Sequence, residues 1–577
     1  MNDVITALEE KDPVFASEED QITISVLPPV EEGVTDEDSD ASDDEVDGNF
    51  LHLPRKILNS QAEVSEQAEA PQPNSSSASA SQPKRRKKDP KRKWTKSIPT
   101  SSMLSEPEAI FGPDVEGFLD SRFSSPLNAF LCLFSSDLTE EILQQSSFYA
   151  QQRGRPSFNA TKEEFLCFLG ILLVSGYHPV PFRRLYWSSD PDVHNALITE
   201  AMRRNRFDQF MQNLHFADNA KINSDKYYKV RPLFNELNQR FKAFPLAAHL
   251  SIDESIIKYY GKHSTKQFIR AKPIRFGYKL FSLASPKGYL HHAEPYCGAD
   301  TKLLETSFGL GGNVVLSLAE FCHVSLGSKL FFDNWFTSLS LLDELKKRNI
   351  GGTGTIRADR CQNAPLPSKK DLEKRGRGSS SYACDGSNMI VRWCDNAVVS
   401  VATNCVLNED VTAVPRWSRK DRKKIDVPMP KVIHQYNQSM GGVDLFDQFV
   451  SNYRIRIRSK KWWWPFFSWS VDACVVNSWV MFKSVKKTPI PLLEFRREIA
   501  QQILKQFGTP KRTAGRYSIT YRPETTKAVR LDRFEHWPEG LPSRYSRCRQ
   551  CGRRCSVACS KCNTPLHVEC FRKFHES

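Results

Sequence analysis

The sequence predicts a multidomain α/β protein, and three observations lead to this fold class. The chain has 577 residues, which is too long for a single hydrophobic core. Apolar residues recur at helical spacing over residues 106–249, whereas apolar segments typical of strands begin at residue 250. Six of the 15 cysteines lie between Cys548 and Cys570, and this crowding predicts a small metal-binding domain near the C-terminus.

Composition favours a polyanionic partner and argues against a membrane protein. Lysine and arginine number 81 against 67 acidic residues, for a net charge of +14, which is typical of nucleic-acid binding. The longest apolar stretch, residues 165–174, contains Gly170 and is too short to cross a bilayer. Because acids stand where a secretory signal would be basic and then apolar, an intracellular protein without disulfides is expected.

Residues 1–105 have the composition of a disordered region. An acidic block is followed by a Ser/Ala/Gln/Pro tract at residues 67–83, and neither buries enough apolar surface to offset chain entropy. A basic cluster comes next, typical of a nuclear import signal or a nucleic-acid tail, although a solvated charge run is the alternative. Its residues are Lys84, Arg85, Arg86, Lys87, Lys88, Lys91, Arg92 and Lys93. The expected location is therefore the nucleus.

The central part of the chain predicts an RNase H-like core. The predicted elements follow the order β-β-β-α-β-α-β, at residues 250–257, 276–284, 289–296, 313–324, 329–335, 338–349 and 352–357. This order is the one expected of an RNase H-like fold. The full domain prediction is a helical domain at 106–249, the core at 250–358, a β-rich insertion at 359–430, more core at 431–452, more helix at 453–535, and a cysteine-rich domain at 545–577.

Four aspartates are candidate metal ligands in this core. Asp253 interrupts the first apolar strand and Asp333 ends the fourth, where a charge is costly unless it is paired or metal-bound. Asp444 and Asp447 lie at i and i+3, on one face of a predicted helix. Each acid alone is more simply a cap, turn former or ion-pair partner. Together they predict a site for two Mg²⁺ or Mn²⁺ ions, the arrangement that phosphodiester chemistry uses.

Cationic and aromatic residues near these acids are candidate DNA contacts. Cations hold phosphates, and large flat rings stack on unpaired bases. The candidates are Arg270, Lys272, Arg275, Lys279, Arg456, Arg458, Lys460, Lys461 and Trp464. For the tryptophan, a place in the core or in a dimer interface is an equal alternative.

The C-terminal cysteines and histidines predict two structural zinc ions. Cysteine pairs two residues apart suit tetrahedral zinc, and metal binding would supply most of the folding free energy of so small a domain. The candidate ligands are Cys548, Cys551, Cys555, Cys559, Cys562, His567, Cys570 and His575. Cys555 and His575 form no close pair. Redox pairing of some thiols, a ubiquitin-ligase finger and a histone-tail reader are alternatives, but none of them explains the aspartates.

Several segments resemble the piggyBac transposase family. They occur in order at residues 251–254, 266–273, 275–279, 332–338 and 436–444, with Asp447 beyond them. The resemblance extends from about residue 106 to the C-terminus. It implies a catalytic triad of Asp253, Asp333 and Asp444, with Asp447 as an additional acid and Trp464 at the family's Trp-Pro position.

The resemblance also implies an architecture and a reaction. The helical segments on both sides of the core would form one dimerisation and DNA-binding domain, and the cysteine-rich domain would be a cross-brace zinc finger that recognises terminal DNA. Water would nick the transposon end, the freed 3′-hydroxyl would form a hairpin, and the reopened end would join a TTAA target. A homodimer acting on double-stranded DNA is expected. A domesticated, non-catalytic DNA-binding protein and a zinc-finger adaptor remain alternatives.

Overall fold

The computed structural model describes residues 22–26, 62–66, 92–96, 124–242, 244–269, 274–406, 410–418, 422–486, 490–509, 530–531, 536–541 and 546–576. The chain divides into two compact units. One comprises Met1–Phe182 with Arg204–Gly508, and the other Arg183–Arg203 with Thr509–Ser577. Most of residues 1–105, predicted to be disordered, lies outside the described residues. No helix in the described part of the chain has the length and apolar character that a bilayer crossing requires.

The helices and strands are numbered along the chain. The helices are α1 (Pro126–Leu133), α2 (Ser136–Gln152), α3 (Lys162–Tyr177), α4 (Ala196–Ala201), α5 (Arg204–Asn213), α6 (Arg231–Lys242), α7 (Gly309–Phe321), α8 (Leu339–Lys347), α9 (Lys369–Arg375), α10 (Lys431–Ser439), α11 (Gly442–Asn452), α12 (Trp464–Lys486), α13 (Leu492–Phe507) and α14 (Val568–Glu576). The strands are β1 (Ile22–Val26), β2 (Ala62–Glu66), β3 (His249–Lys258), β4 (Gln267–Ile269), β5 (Phe276–Ala284), β6 (Leu290–Pro295), β7 (Lys329–Phe332), β8 (Gly351–Thr355), β9 (Ser380–Cys384), β10 (Met389–Cys394), β11 (Val398–Thr403), β12 (Val411–Ser418), β13 (Lys423–Pro430), β14 (Pro538–Gly540), β15 (Ser546–Arg547), β16 (Arg554–Cys555) and β17 (Val557–Cys559).

Helices before and after the sheet pack together in the first unit. Helix α3 begins with the predicted capping box, in which the Glu164 N–H donates to Thr161 Oγ1 at 3.3 Å and the Thr161 N–H donates to Glu164 Oε2 at 3.2 Å. A Cβ at Gly170 would lie 2.9 Å from side-chain carbons of Ile503 and Leu504. Glycine therefore lets α3 and α13 approach closely, although they are far apart in the sequence.

The predicted RNase H-like core is confirmed. Strand β3 pairs antiparallel with β5 and parallel with β7, while β5 pairs antiparallel with β6 and β7 pairs parallel with β8. The resulting order β6-β5-β3-β7-β8 places the strand that carries Asp253 in the middle. Apolar residues of α7 and α8, including Val314 and Leu342, share one buried cluster with Leu330 and Phe332 of β7. This packing fixes the sheet beneath two helices.

The sheet continues beyond the RNase H-like strands on both sides. Strands β1, β2 and β4 extend it past β5. On the other side β11 pairs with β8 and is followed by β10 and β9, whereas β12 and β13 form a separate hairpin. The buried Asn404 joins this extension to the core, since it accepts from the Gly352 N–H at 2.7 Å and donates to the Leu342 carbonyl at 2.8 Å. Residues 359–430, predicted as a β-rich insertion, thus supply three strands that are continuous with the main sheet.

The second unit contains α4, four short strands and α14. The Thr509 N–H donates to the Ala201 carbonyl at 2.9 Å. Strand β14 pairs with β17 and β15 pairs with β16. Its buried cluster consists of four cysteines together with Leu566 and Phe574. A cluster with so few large apolar side chains is typical of a domain that a metal holds together.

Candidate functional site

Asp253 and Asp333 lie side by side at one edge of the core. Ile252 of β3 and Phe332 of β7 are register partners on adjacent parallel strands, and each aspartate is the next residue along its strand. Neighbouring strands are about 4.8 Å apart. Both carboxylates therefore arise from adjacent positions of the two central strands, Asp253 within β3 and Asp333 directly after the end of β7.

The loop that carries Asp333 is held by several hydrogen bonds. Its Oδ1 accepts from the Trp335 N–H at 2.8 Å, and its carbonyl accepts from Thr337 Oγ1 at 2.7 Å. The Arg360 guanidinium donates to the Thr337 carbonyl at 2.9 Å. A Cβ at Gly354 of β8 would lie 2.2 Å from Thr337 Oγ1, so the strand and the loop are in close contact. These contacts give the Asp333 backbone a single position.

Helix α11, which carries Asp444, approaches the part of β3 that contains Asp253. A Cβ at Gly442 would lie 2.4 Å from the Ser285 carbonyl oxygen and 2.5 Å from Ser251 Oγ, so only glycine allows this approach. Ser251 is two residues before Asp253. Asp444 is exposed in the first turn of α11, where the helix dipole favours a negative charge. Asp447 is half-buried one turn later.

The carboxylates of the three aspartates all affect the pKa of one tyrosine, Tyr436. Burial raises the pKa of Tyr436, a hydrogen bond with the Thr355 side chain opposes this rise, and nearby carboxylates raise the pKa further. Those carboxylates belong to Asp333, Asp253 and Asp444. Sequence reasoning included Tyr436 in a family-like segment but assigned it no role. Its place beside all three acids makes it part of the candidate site.

The spacing of the acids differs from that of a compact one-ion site. In the described part of the chain, two Cys/His groups have ligand atoms that all lie within 4.8 Å of one another, and the three aspartates form no such group. A pair of divalent ions about 3.5–4 Å apart needs a wider ligand set than one ion does. The wider spacing of the aspartates is compatible with a pair of ions.

The predicted cations near β5 occupy different environments. Arg275 is exposed, while Arg270 and Lys272 lie outside the described residues. Lys279 is buried, and its ammonium lies 2.5 Å from Glu254 Oε1 and 4.8 Å from the centroid of the Trp335 ring. This placement corrects the expectation that Lys279 faces DNA, because its charge is used inside the sheet to support the residues that follow Asp333.

Three cations form an exposed row after α11. Arg456, Arg458 and Lys460 are exposed and alternate with the buried Ile455 and Ile457. This alternation is typical of an extended segment with one face packed against the protein. The three exposed side chains are here named the cationic row.

Backbone hydrogen bonds fix the cationic row to the helices. The Ile455 N–H donates to Asp472 Oδ2 at 3.0 Å, and the Arg456 N–H donates to Ser175 Oγ at 3.1 Å. Asp472 also pairs with Arg496 at 2.8 Å, and both side chains are buried. Buried side chains of α3 and α12 therefore hold the backbone of the cationic row in place.

Lys461 and Trp464, predicted to contact DNA, are enclosed instead. Lys461 is 2% exposed, and its ammonium donates to the carbonyls of Met211 at 2.7 Å and Gln212 at 3.0 Å. Trp464 is 3% exposed, and its indole N–H donates to the Ile457 carbonyl at 2.9 Å. The structure corrects both expectations: these side chains anchor the cationic row, because α5 offers unpaired C-terminal carbonyls and the helices offer an apolar pocket.

The distinction between anchoring and exposed cations is testable. We expect Lys461→Met to lower the free energy of unfolding by about 1–3 kcal/mol, since two buried carbonyls lose their donor. Arg456→Ala, the matched change of an exposed cation, should alter it by less than about 0.5 kcal/mol. Chemical denaturation followed by tryptophan fluorescence measures both. Equal effects of the two substitutions would contradict the assignment.

The second unit contains two clusters of metal-ligand type. One consists of His536, Cys559, Cys562 and His575, and the other of Cys548, Cys551, His567 and Cys570. In the first, His536 Nδ1 lies 3.2 Å from Cys559 Sγ, and His575 Nε2 lies 3.5 Å from Cys562 Sγ. In the second, His567 Nδ1 lies 3.3 Å from Cys551 Sγ. The ligand atoms converge as tetrahedral zinc requires.

The two clusters correct the predicted ligand set at one position. Cys555 belongs to neither cluster. Its thiol is buried and lies 3.7 Å from the Val557 carbonyl oxygen, so it packs as a small apolar residue. His536 takes the eighth place, and it precedes the predicted domain of residues 545–577. The clusters interleave along the chain, which is the cross-brace arrangement that the resemblance implies.

The predicted import signal is only partly described. Arg92 and Lys93 fall within the described residues, whereas Lys84, Arg85, Arg86, Lys87, Lys88 and Lys91 lie outside them. Lys93 is exposed. Arg92 instead makes ion pairs with acids of the core, so the second part of the basic cluster has a structural partner.

Comparisons with known proteins agree with this architecture. A family profile described as Transposase IS4 matches residues 125–479. Human PiggyBac transposable element-derived protein 3 is 33% identical over 602 aligned positions, covering 100% of this chain and 99% of that protein. Human PiggyBac transposable element-derived protein 2 is 33% identical, covering 94% of this chain and 90% of that protein. A cryo-EM structure of a piggyBac transposase synaptic complex with hairpin DNA has a TM-score of 0.57 at 21% identity, covering 78% of this chain and 97% of that chain. The chain therefore belongs to the piggyBac transposase family.

Proposed function

We propose that the chain cleaves DNA and transfers its strands at the centre formed by Asp253, Asp333 and Asp444. The observation that carries this proposal is the placement of Asp253 and Asp333 at adjacent positions of two central parallel strands, together with the close approach of α11, which carries Asp444, to Ser251 of β3. Parallel strands fix the positions of Asp253 and Asp333, and the close approach of α11 to the sheet fixes the position of Asp444.

The chemistry of these side chains suits Mg²⁺ or Mn²⁺. Carboxylate oxygens are the ligands that such hard cations prefer. Carboxylates that lie close together repel one another when charged, and divalent cations bound between them would relieve that repulsion. When bound, a pair of such ions activates the attacking oxygen and stabilises the leaving oxygen of a phosphodiester. We propose that Asp253, Asp333 and Asp444 hold the ions and that Asp447 supports them from the next turn of α11.

The residues around this centre would orient the DNA. Arg275 and the cationic row present exposed positive charges suited to phosphates. The related piggyBac transposase forms a synaptic complex with hairpin DNA, which supports a substrate of the same class. We propose double-stranded transposon ends as the substrate, TTAA as the target and a homodimer as the acting form.

For the second unit we propose a zinc finger with two ions that recognises terminal DNA. We expect the purified chain to contain two zinc ions, one for each cluster. His536→Ala should remove one of them, because it breaks a closed set of four ligands. Cys555→Ser should retain both, and mass spectrometry under native conditions distinguishes the cases. Loss of zinc from Cys555→Ser, or its full retention in His536→Ala, would show that the clusters are wrongly assigned.

We propose a nuclear location, where the DNA substrate is found. The support is the basic cluster at residues 84–93. Microscopy of the tagged full chain tests this location, and exclusion from the nucleus would argue against it.

The catalytic proposal is tested with the purified chain and DNA flanked by the inverted repeats of its own genomic locus. With Mg²⁺ or Mn²⁺ we expect nicks at the repeat ends and then joining at TTAA. Binding should weaken as salt rises, because cations of the protein displace counterions of DNA. Salt-dependent binding without nicking would show a non-catalytic DNA-binding protein. Failure to bind DNA, once zinc is confirmed, would show an adaptor that acts through protein contacts.

A further inference from the structure

A short segment of the N-terminal region, residues 92–96, is docked on the extended sheet. The Arg92 side chain is 8% exposed. Its guanidinium lies 2.5 Å from Asp343 Oδ2, makes a second ion pair with Asp385, and donates to Gln362 Oε1 at 2.7 Å. Residues 92–96 are here named the arm. One arginine of the arm thus meets three acceptors from three different elements of the fold.

The arm also adds a short piece of strand to the edge of the sheet. The Thr95 N–H donates to the Cys384 carbonyl at 2.7 Å, and the Cys384 N–H donates to the Thr95 carbonyl at 2.9 Å. The Tyr382 hydroxyl donates to the Lys96 carbonyl at 2.7 Å. This is the pattern of β-strand addition, in which main-chain pairs bind and side-chain pockets select. Strand β9, at the end of the sheet, is therefore covered by the arm.

Two pockets of the core select side chains of the arm. Trp94 packs against the main hydrophobic cluster, and its indole N–H donates to the Gln362 carbonyl at 3.0 Å. The Asp385 side chain is 4% exposed. Burial alone would raise the pKa of Asp385, but N–H donors of Asn388 and Ser387 and the Arg92 guanidinium hold it below its usual range. The Asp385 carboxylate therefore stays negatively charged and can pair with the arginine of the arm.

We propose that the core contains a peptide-binding site for a segment with the pattern Arg-x-Trp-Thr, and that the chain's own arm occupies it as a latch. The site consists of the Asp343 and Asp385 carboxylates, the pocket beside Gln362 and the open edge of β9. Its ligand class is a short extended peptide with one arginine and one tryptophan. The inference does not depend on catalysis, because none of the contacts that hold the arm involves Asp253, Asp333 or Asp444.

The latch divides the basic cluster into two parts with different uses. The Arg92 guanidinium is engaged by two carboxylates, and such charge-assisted pairs are about twice as strong as neutral hydrogen bonds. Arg92 is consequently unavailable to DNA phosphates or to an import receptor while the arm is docked. Within the second part of the cluster, the docked arm thus removes Arg92 from any import signal, whereas the side chain of Lys93 stays exposed.

Hydrogen–deuterium exchange of the full chain tests the latch. The amides of Thr95 and Cys384 should be protected in the unaltered chain, since each donates to the other's carbonyl. Arg92→Ala and Trp94→Ala should each speed their exchange about ten- to a hundredfold, the loss expected when buried hydrogen-bonding partners are removed. Lys93→Ala, the matched change of an exposed neighbour, should leave the rates unchanged. Exchange within α3 should be unaffected in all three variants and shows that they fold.

A cleavage experiment gives an independent readout. Protease sites inserted between residues 70 and 80 and between residues 105 and 115 of the full chain allow the arm to be cut from the rest of the chain, and they separate it from β1 and β2, which join the main sheet through β4. The cut fragment should co-elute with the rest of the protein in gel filtration, and Arg92→Ala should release it. Rapid exchange at Thr95 in the unaltered chain, release of the unaltered fragment, or an equal effect of Lys93→Ala would overturn the proposal.

Discussion

Asp333→Asn should lower the rate of DNA nicking at least about a thousandfold, because the ligands of a catalytic ion pair contribute several kcal/mol to transition-state stabilisation. The substitution is close to isosteric. An asparagine Oδ1 can still accept from the Trp335 N–H that fixes the loop, so the fold should persist. DNA binding at fixed salt should change by no more than about threefold, since phosphate contacts by other cations set the affinity. Single-turnover nicking assays with excess protein measure the chemical step.

The control for this change is Asp359→Asn, which neutralises an exposed acid in the short turn Ala358–Cys361. Its nicking rate should stay within about twofold of the unaltered chain, as expected for a surface substitution. If both variants lose activity equally, a general electrostatic effect would account for the loss. If Asp333→Asn remains active, the site has been misplaced.

Gly442→Ala should lower nicking by about a hundredfold, the loss expected when a reacting group is displaced by about 1 Å. The added methyl group would lie 2.4 Å from the Ser285 carbonyl oxygen and 2.5 Å from Ser251 Oγ. Ser251 lies in β3 and Ser285 directly follows β5, so we expect α11 to move and to displace Asp444. The same crowding should cost about 1–3 kcal/mol of folding free energy, which thermal unfolding detects.

The adjacent Gly441 provides the control, because a Cβ there meets no atom within 4 Å and its φ of −73° suits any residue. Gly441→Ala should therefore keep both activity and stability near those of the unaltered chain. An equal loss in both variants would mean that flexibility of the turn, rather than the close approach of α11, positions Asp444.

Elements governed by local pattern could be predicted from the sequence. Predicted strands at residues 250–257 and 276–284 agree with the observed His249–Lys258 and Phe276–Ala284, because short segments rich in β-branched and aromatic residues are typical of strands. The capping box at Thr161 is confirmed in the same way. The continuation of the sheet through β11, β10 and β9 was not predicted, since edge pairing depends on partners far away in the chain.

The environment of single cations could not be predicted. Lys279 and Lys461 resemble surface residues in the sequence, yet their partners are Glu254 and the Met211 carbonyl. A basic residue between aromatic residues is compatible with either a DNA contact or a buried anchor. Which of the two applies depends on packing between distant parts of the chain, and sequence periodicity carries no information about it. The ion pair between Arg92 and Asp343 could not be predicted for the same reason.

The zinc-type clusters show a related limit. Cysteines two residues apart identify most of the ligands, because short chelate loops leave a local signature. His536 has no such neighbour and reaches its cluster through folding. Cys555 has the right side chain in the right region, but its thiol lies beside the Val557 carbonyl oxygen. The two groups contain eight residues of ligand type, and the identity of the eighth depends on the fold.

Replacing Mg²⁺ with Fe²⁺ and cutting the backbone with locally generated hydroxyl radicals tests the meeting of the three aspartates most directly, because the radicals cut only near the bound ion. We expect cuts near residues 253, 333 and 444 of the full chain, all of them lost together in Asp333→Asn and retained in Asp359→Asn. Cuts near only one of these positions, or cuts that survive in Asp333→Asn, would contradict a shared metal centre.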